Sequence, residues 1–150
     1  MKVLDHVSML LRNKGTNVYS VRSDASVLSA IQMLADRGIG ALLVIDNGRL
    51  VGILSERDYA RKVILKGRSS NTTTVGEIMT PSPITIRGDE TVDHAMHLMT
   101  NNRIRHLPVV DSGGELTGVL SIGDVVNWIV TSQTQTIEQL QTYITGSLAT

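Results

Sequence analysis

The 150-residue sequence predicts an α+β fold with α/β layering: two tandem β-α-β-β-α repeats related by a pseudo-twofold axis. Three observations lead there. The chain is written twice, since pairing Asp24–Asp46 with Asp89–Asp111 and then Gly48–Asp58 with Gly114–Asp124 gives thirteen identities over 34 positions. Both copies switch from helical to strand periodicity in the same order. One copy of about 50 residues is too small to bury a sufficient core alone, so the two need each other.

The elements follow in chain order. Val3, Val7, Leu10 and Leu11 form the apolar stripe of a short N-terminal helix, residues 1–15. The first repeat, 16–67, opens with extended Val18-Tyr19-Ser20-Val21. A helix over Ser26–Arg37 follows, with Val27, Ala30, Ile31 and Leu34 inward, Asp24 as N-cap and Gly38 as the stop. Two apolar runs, Ala41–Ile45 and Leu50–Leu54, flank Asp46-Asn47-Gly48-Arg49, and Asn-Gly in that setting signals a hairpin. A helix from Glu56 to about Lys66 closes the repeat. Residues 68–81 read as a linker, its start rich in Ser, Thr and Asn. The second repeat, 82–132, runs through Pro83–Ile86, a helix facing inward with Val92, Ala95, Met96 and Met99, the runs Leu107–Val110 and Leu116–Leu120, and a helix from Ile122 to about Thr131. Residues 133–150 form a separate terminal helix and tail with Ile137, Leu140, Ile144 and Leu148.

Composition narrows the function. Fourteen basic residues balance fourteen acidic ones, which disfavours a nucleic-acid polymer as partner. Hydrophobic residues make up 41% and aromatics 3%, with no Phe, so the core is aliphatic. There is no Cys, which excludes disulfides, thiolate catalysis and Cys-ligated zinc. Charged residues punctuate Met1–Lys14, and no apolar run approaches the roughly 20 residues of a membrane span. The expectation is a cytoplasmic chain with no membrane partner.

Paired repeats converge on a cleft at their seam, where a ligand is expected. Gly-x-x-Ser-x-x-Asp occurs twice where a strand ends and a helix begins: Gly52, Ser55, Asp58 and Gly118, Ser121, Asp124. Ser followed three residues later by an acid is the pattern of a helix capping box. The same geometry offers helix amides to phosphate and a carboxylate to a ribose diol, and both uses are compatible. Arg103-Ile104-Arg105-His106 puts three basic groups in the second repeat where the first has Gly38-Ile39-Gly40-Ala41. Such a one-sided cluster suits bidentate phosphate contact, whereas a charge run can equally be a solvated face. His94 and His97 read as outward-facing rather than metal-binding. No phosphate-binding loop, complete Gly-x-Gly-x-x-Gly turn or Ser/His/Asp set appears, so no catalysis is expected.

The repeated pattern resembles a tandem pair of CBS domains, the cystathionine β-synthase-type or Bateman module. Val18-Tyr19-Ser20-Val21, Ala41–Asp46 and Gly52–Asp58 carry the likeness, with second copies Ile84-Thr85-Ile86, His106–Asp111 and Gly118–Asp124, preceded by Ile78-Met79-Thr80-Pro81. The resemblance implies a stand-alone, bacterial-type signal-transduction protein without catalysis. Such a protein senses energy status by binding an adenine nucleotide: AMP first, with ADP, ATP, NAD and S-adenosylmethionine as the other ligands. It implies that Asp58 and Asp124 hold ribose hydroxyls, with Ser55 and Ser121 beside them. The backbone of Val18, Tyr19, Ser20, Ile84 and Thr85 would read adenine, and Arg103, Arg105 and His106 would meet phosphate. Gly40, Ala41, Arg57, Leu107 and Pro108 complete the implied site. Because Gly40 and Ala41 lack charge, the two sites should be unequal. A homodimer acting on an unidentified regulated protein is implied. The alternatives are an interaction module with vacant clefts and a nucleotide-processing enzyme.

Overall fold

Continuously buried middle strands, left-handed turn residues and side-chain caps build the same local architecture twice. The structure, a computed structural model, describes residues 4–15 and 17–149, without the side chains of 134–136, 143 and 145–149. The expected contributions of Val3 and of the Leu148 side chain therefore lie outside the described residues. The chain forms two units, Asn17–Thr85 and Met1–Thr16 with Ile86–Thr150.

In the first unit β1 (Ser20–Val21) runs parallel to β2 (Ala41–Asp46), which pairs antiparallel with β3 (Arg49–Ser55). Asn47 and Gly48 join the two at φ 51° and 76°, the double left-handed conformation that matches a hairpin to strand twist. Helix α2 (Val27–Arg37) crosses from β1 to β2 and stops at Gly38, φ 63°. The α2 N-cap is Ser26, whose side chain accepts the Ser29 N–H at 3.1 Å. Asp24, two residues too early to reach the first turn, pairs instead with Arg22 at 3.0 Å on the surface. After β3 the chain makes one turn of α3 (Glu56–Tyr59) and continues as a π turn, Ala60–Ile64.

Residues 68–81, read from the sequence as a linker, are built into this unit. Thr74 bridges Ser26, α4 (Val75–Ile78) contributes Val75 and Ile78 to the core, and β4 (Thr80–Pro81) adds to the edge of β3. They join Val27, Ala30, Leu34, Leu42, Val44, Leu54 and Val63. A methyl group at Gly52 would collide with the Met79 thioether, so the glycine is required there for space rather than for backbone freedom.

In the second unit β5 (Ile86–Arg87) is parallel to β6 (His106–Val110), which pairs antiparallel with β7 (Leu116–Ser121). The strand begins at Ile86, later than the expected Pro83–Ile86 segment. Helix α5 (Val92–Asn102) is capped by Thr91 and ends in left-handed Arg103, φ 54°, the counterpart of Gly38. Helix α1 (Val7–Lys14) belongs here. Its Val7 and Ser8 N–H groups donate to Glu90 and Gly88 carbonyls at 2.8 and 2.9 Å. Val7, Leu10 and Leu11 join Ile86, Val92, Ala95, Met99, Leu107, Val109, Leu120 and Val125 in the core. Leu11 fills the space above Gly118, the counterpart of Gly52. Asp5 accepts the Trp128 indole N–H at 2.9 Å.

Helix α6 runs unbroken through Ile122–Ala149. The sequence reading ends one helix near Thr131 and starts another after 132. The Thr/Ser/Gln segment between them holds no Gly or Pro, and without a breaker the helix continues.

Candidate functional site

Each unit brings its Ser-x-x-Asp turn against the segment that leads into its middle strand. In the second unit the Ile122 N–H donates to the Arg105 carbonyl at 2.7 Å, and His106 lies opposite Ser121. The segment containing Arg103, Arg105 and His106 thus borders the start of α6, with both arginines exposed and His106 half-buried. In the first unit the Glu56 N–H donates to the Gly40 carbonyl at 3.1 Å, and Ala41 lies opposite Ser55. The arrangement is the same without the positive charge.

Both turns are capped reciprocally. Asp124 N–H donates to Ser121 Oγ at 3.1 Å, and Ser121 N–H to Asp124 Oδ2 at 2.8 Å. Asp58 N–H donates to Ser55 Oγ at 3.2 Å, and Ser55 N–H to Asp58 Oδ2 at 3.0 Å, a capping box. Each carboxylate also meets a lysine that the sequence reading missed. Lys14 Nζ is 2.5 Å from Asp124 Oδ2 and donates to the Val119 carbonyl at 2.7 Å. Lys62 Nζ is 3.2 Å from Asp58 Oδ1 and donates to the Ile78 carbonyl at 2.9 Å. Lys62 was legible as an i,i+4 partner, whereas Lys14 lies 110 residues from Asp124 and leaves no local signal.

The two acids therefore differ. Bonds converge on Oδ2 of Asp124, whose side chain keeps 24% exposure; Asp58 uses both oxygens and keeps 12%. Burial pushes the Asp124 carboxyl up, but the hydrogen bonds from Lys14 and Ser121 outweigh it and hold the group below its ordinary value. With its charge secured, Asp124 can accept hydroxyl donors at neutral pH.

The other expected residues vary in availability. Val18 and Tyr19 are half-buried ahead of β1; the Tyr19 carbonyl accepts the Leu43 N–H at 3.2 Å, and Arg37 stacks on the Tyr19 ring at 4.9 Å. Ser20 and Arg57 are exposed, as are Ile84 and Thr85 ahead of β5. Leu107 and Pro108 are buried within β6, which leaves only their backbone for a ligand. His94 and His97 face solvent and pair with Glu90 and Asp93 at 3.3 and 3.4 Å. Among the described residues no cluster of His, Asp and Glu could hold a metal, and no helix is long and apolar enough to cross a membrane. A cavity of about 480 Å³ lies at the opposite end of the second sheet, lined in part by His6, Arg12, Arg87, Asp89 and Asp111, and holds none of the expected nucleotide residues.

The doubled β-α-β-β-α unit, with a capped Ser-x-x-Asp turn in each copy, defines a tandem-repeat module. The CBS domain matches residues 14–65 and 75–131, and the chain belongs to the CBS-domain family. It is 40% identical over 149 residues to the mitochondrial CBS domain-containing protein CBSX3 of Arabidopsis thaliana, covering 93% of this chain and 72% of that one. Its structure is similar to that of a CBS-domain protein from Burkholderia ambifaria MC40-6 assigned to signal transduction: TM-score 0.82, 44% identity, 86% of this chain and 96% of the other. CBSX2 in complex with AMP matches at TM-score 0.69 and 31% identity, over 85% and 98% of the two chains. The CBS domain pair of protein MJ0100, in complex with 5-methylthioadenosine and S-adenosyl-L-methionine, matches at 0.76 and 28%, over 86% and 98%. Inosine-5'-monophosphate dehydrogenase of Nitrosopumilus maritimus is 34% identical over 112 residues, but that stretch is 22% of the enzyme.

Proposed function

We propose that this chain is a non-catalytic regulatory sensor of adenine nucleotides, with AMP as the first candidate ligand, that it works as a homodimer, and that a regulated protein reads its state. The observation that carries the reading is the charged Asp124 carboxylate on a capped helix start, bordered by Arg103, Arg105 and His106. A carboxylate accepts a ribose diol, and guanidinium groups beside a helix N-terminus suit a phosphate. Asp58 with Ser55 and Arg57 forms the weaker counterpart, both of its carboxylate oxygens already engaged and its neighbours Gly40 and Ala41 uncharged. The backbone of Val18–Ser20 and of Ile84, Thr85, Leu107 and Pro108 is assigned to the base. The AMP complex of CBSX2 supports a nucleotide and that of MJ0100 an adenosyl compound. Dehydrogenase chemistry has no support, because the likeness to that enzyme covers a fifth of it. Binding to the folded state alone raises stability, by about 2.7 kcal/mol at a hundredfold excess over Kd. Thermal unfolding with AMP, ADP, ATP, NAD and S-adenosylmethionine at about 1 mM tests this. AMP is expected to give the largest upward shift, and no shift with any of the five refutes the sensor.

A further inference from the structure

The cavity of about 480 Å³ in the second unit lies where the two repeats differ in one hydroxyl. Ser23 and Gly88 are counterparts: the Gly76 N–H donates to the Ser23 carbonyl at 2.8 Å, as the Ser8 N–H does to that of Gly88 at 2.9 Å. In the first unit Ser23 bridges this place, donating its N–H and its hydroxyl to the two oxygens of Asp46 at 3.0 and 2.5 Å. Gly88 has no hydroxyl to offer. Asp111, the counterpart of Asp46, turns back onto its own loop, where Oδ1 accepts the Gly113 and Glu115 N–H groups at 2.9 Å each. The bridge is absent, and the cavity lies between α1, the end of β5 and the β6–β7 turn.

Its lining combines an apolar floor with a few polar groups, as small-molecule sites do. Leu11 and Val110 form the floor. Arg12, exposed on α1, has no ion-pair or hydrogen-bond partner among the described residues, whereas Arg87 is held by Asp89 at 2.7 Å. Asp111 keeps Oδ2 without a donor among the described residues. An open guanidinium and an open carboxylate oxygen around one apolar floor complement a molecule that carries both charges beside an apolar group. We infer that this cavity binds a free α-amino acid with an apolar side chain. Its carboxylate lies on Arg12, its ammonium group on Asp111 and its side chain over Leu11 and Val110. A guanidinium takes a carboxylate through two short charge-assisted bonds. A simple anion suits the site less well, because the two arginines of the lining are balanced by two aspartates. The cavity shares no residue with the nucleotide reading and does not depend on it.

Amide NMR spectra of the isotope-labelled full chain, titrated with L-leucine, L-methionine and L-phenylalanine to about 10 mM, test this. At least one of the three is expected to move the Gly88, Ser112 and Gly113 signals to saturation. Arg12→Ala and Asp111→Asn should each weaken that binding at least roughly tenfold. The Asn keeps an oxygen for the Gly113 and Glu115 amides. Gly88→Ser, which restores the residue of the first unit, should abolish binding. Its Cβ would stand 3.4 Å from that of Ser8, an ordinary contact, and a melting profile confirms that the variant folds. Isocaproate and isoamylamine are leucine without its amino group and without its carboxylate, and each should bind at least about tenfold more weakly. The inference is overturned if none of the three amino acids moves these signals. Unchanged binding in Arg12→Ala or in folded Gly88→Ser overturns it as well, as does equal affinity for isocaproate. The AMP-induced thermal shift, expected to be the same in these variants, reports on the sensor reading separately.

Discussion

Arg103→Gly should stabilise the protein while weakening its ligand site. Arg103 ends α5 at φ 54° and ψ 44°, and at the corresponding end of α2 Gly38 adopts φ 63° and ψ 38°. A left-handed residue with a Cβ pays about 1–2 kcal/mol that glycine avoids. Glycine returns part of that gain through the greater freedom of the unfolded chain, about 0.4–1 kcal/mol. The Arg103 side chain is exposed, so little packing is lost. The expected net gain is about 0.5–1 kcal/mol, or roughly 1–4 °C in Tm for a chain of this size. The reciprocal change isolates the backbone contribution: nothing lies within 4 Å of a Cβ built on Gly38, so Gly38→Arg loses about 1 kcal/mol through φ alone. Calorimetric melts of both variants give the comparison. A lower Tm for Arg103→Gly, or no change for Gly38→Arg, refutes the reasoning. Retention of a strained arginine where the other repeat has glycine accords with a phosphate-binding role, and Arg103→Gly is accordingly expected to reduce the AMP-induced shift.

Lys14→Met removes the cation beside a partly buried carboxylate and should cost about 1 kcal/mol at pH 7, reduced from a buried-pair value because the partners keep 31% and 24% exposure. Asp124 titrates lower when folded than when unfolded, so its contribution is present above the unfolded value near 3.9 and fades as pH falls through the folded one. Urea denaturation at pH 7 and pH 3 should show the gap between wild type and Lys14→Met closing in acid, and a constant gap would contradict this. Gly52→Ala should cost about 1–3 kcal/mol because the Met79 thioether and the Thr80 carbonyl stand in the way. Gly118→Ala should cost less, since it meets only Leu11 methyl ends at 3.1 Å; chemical denaturation orders the two, and the reverse order would sink the packing argument.

Local signals in the sequence carried most of the fold. Asn47-Gly48 dictates its hairpin through two left-handed residues, and Ser55/Asp58 and Ser121/Asp124 dictate their caps, because each involves atoms within four residues. The α2 cap shifted from Asp24 to Ser26, since Ser, Asp and Asn cap nearly equally well and spacing alone decides by a residue or two. The attachment of α1 was not legible. An amphipathic stripe says that Val7, Leu10 and Leu11 must be buried, but not against what, and the covering of Gly118 and the Lys14–Asp124 bridge are long-range outcomes of packing. Residues 68–81 misled for a related reason: polar Ser, Thr and Asn hid the apolar Val75 and Ile78, which fill the first core.

One repeat is contiguous and the other is not: residues 17–85 form one unit, whereas residues 4–15 complete the unit formed by 86–149. Every residue of the first core is synthesised before Ile86 is added, so its contacts close over short stretches of chain and do not wait for the second repeat. Helix α1 is translated before its partners Val92, Leu107 and Val125, which lie more than 80 residues downstream, and until they are made Val7, Leu10 and Leu11 stay uncovered. A helix made ahead of its whole repeat is thus among the last elements to be covered, and its three apolar side chains stay open to water until that repeat is complete.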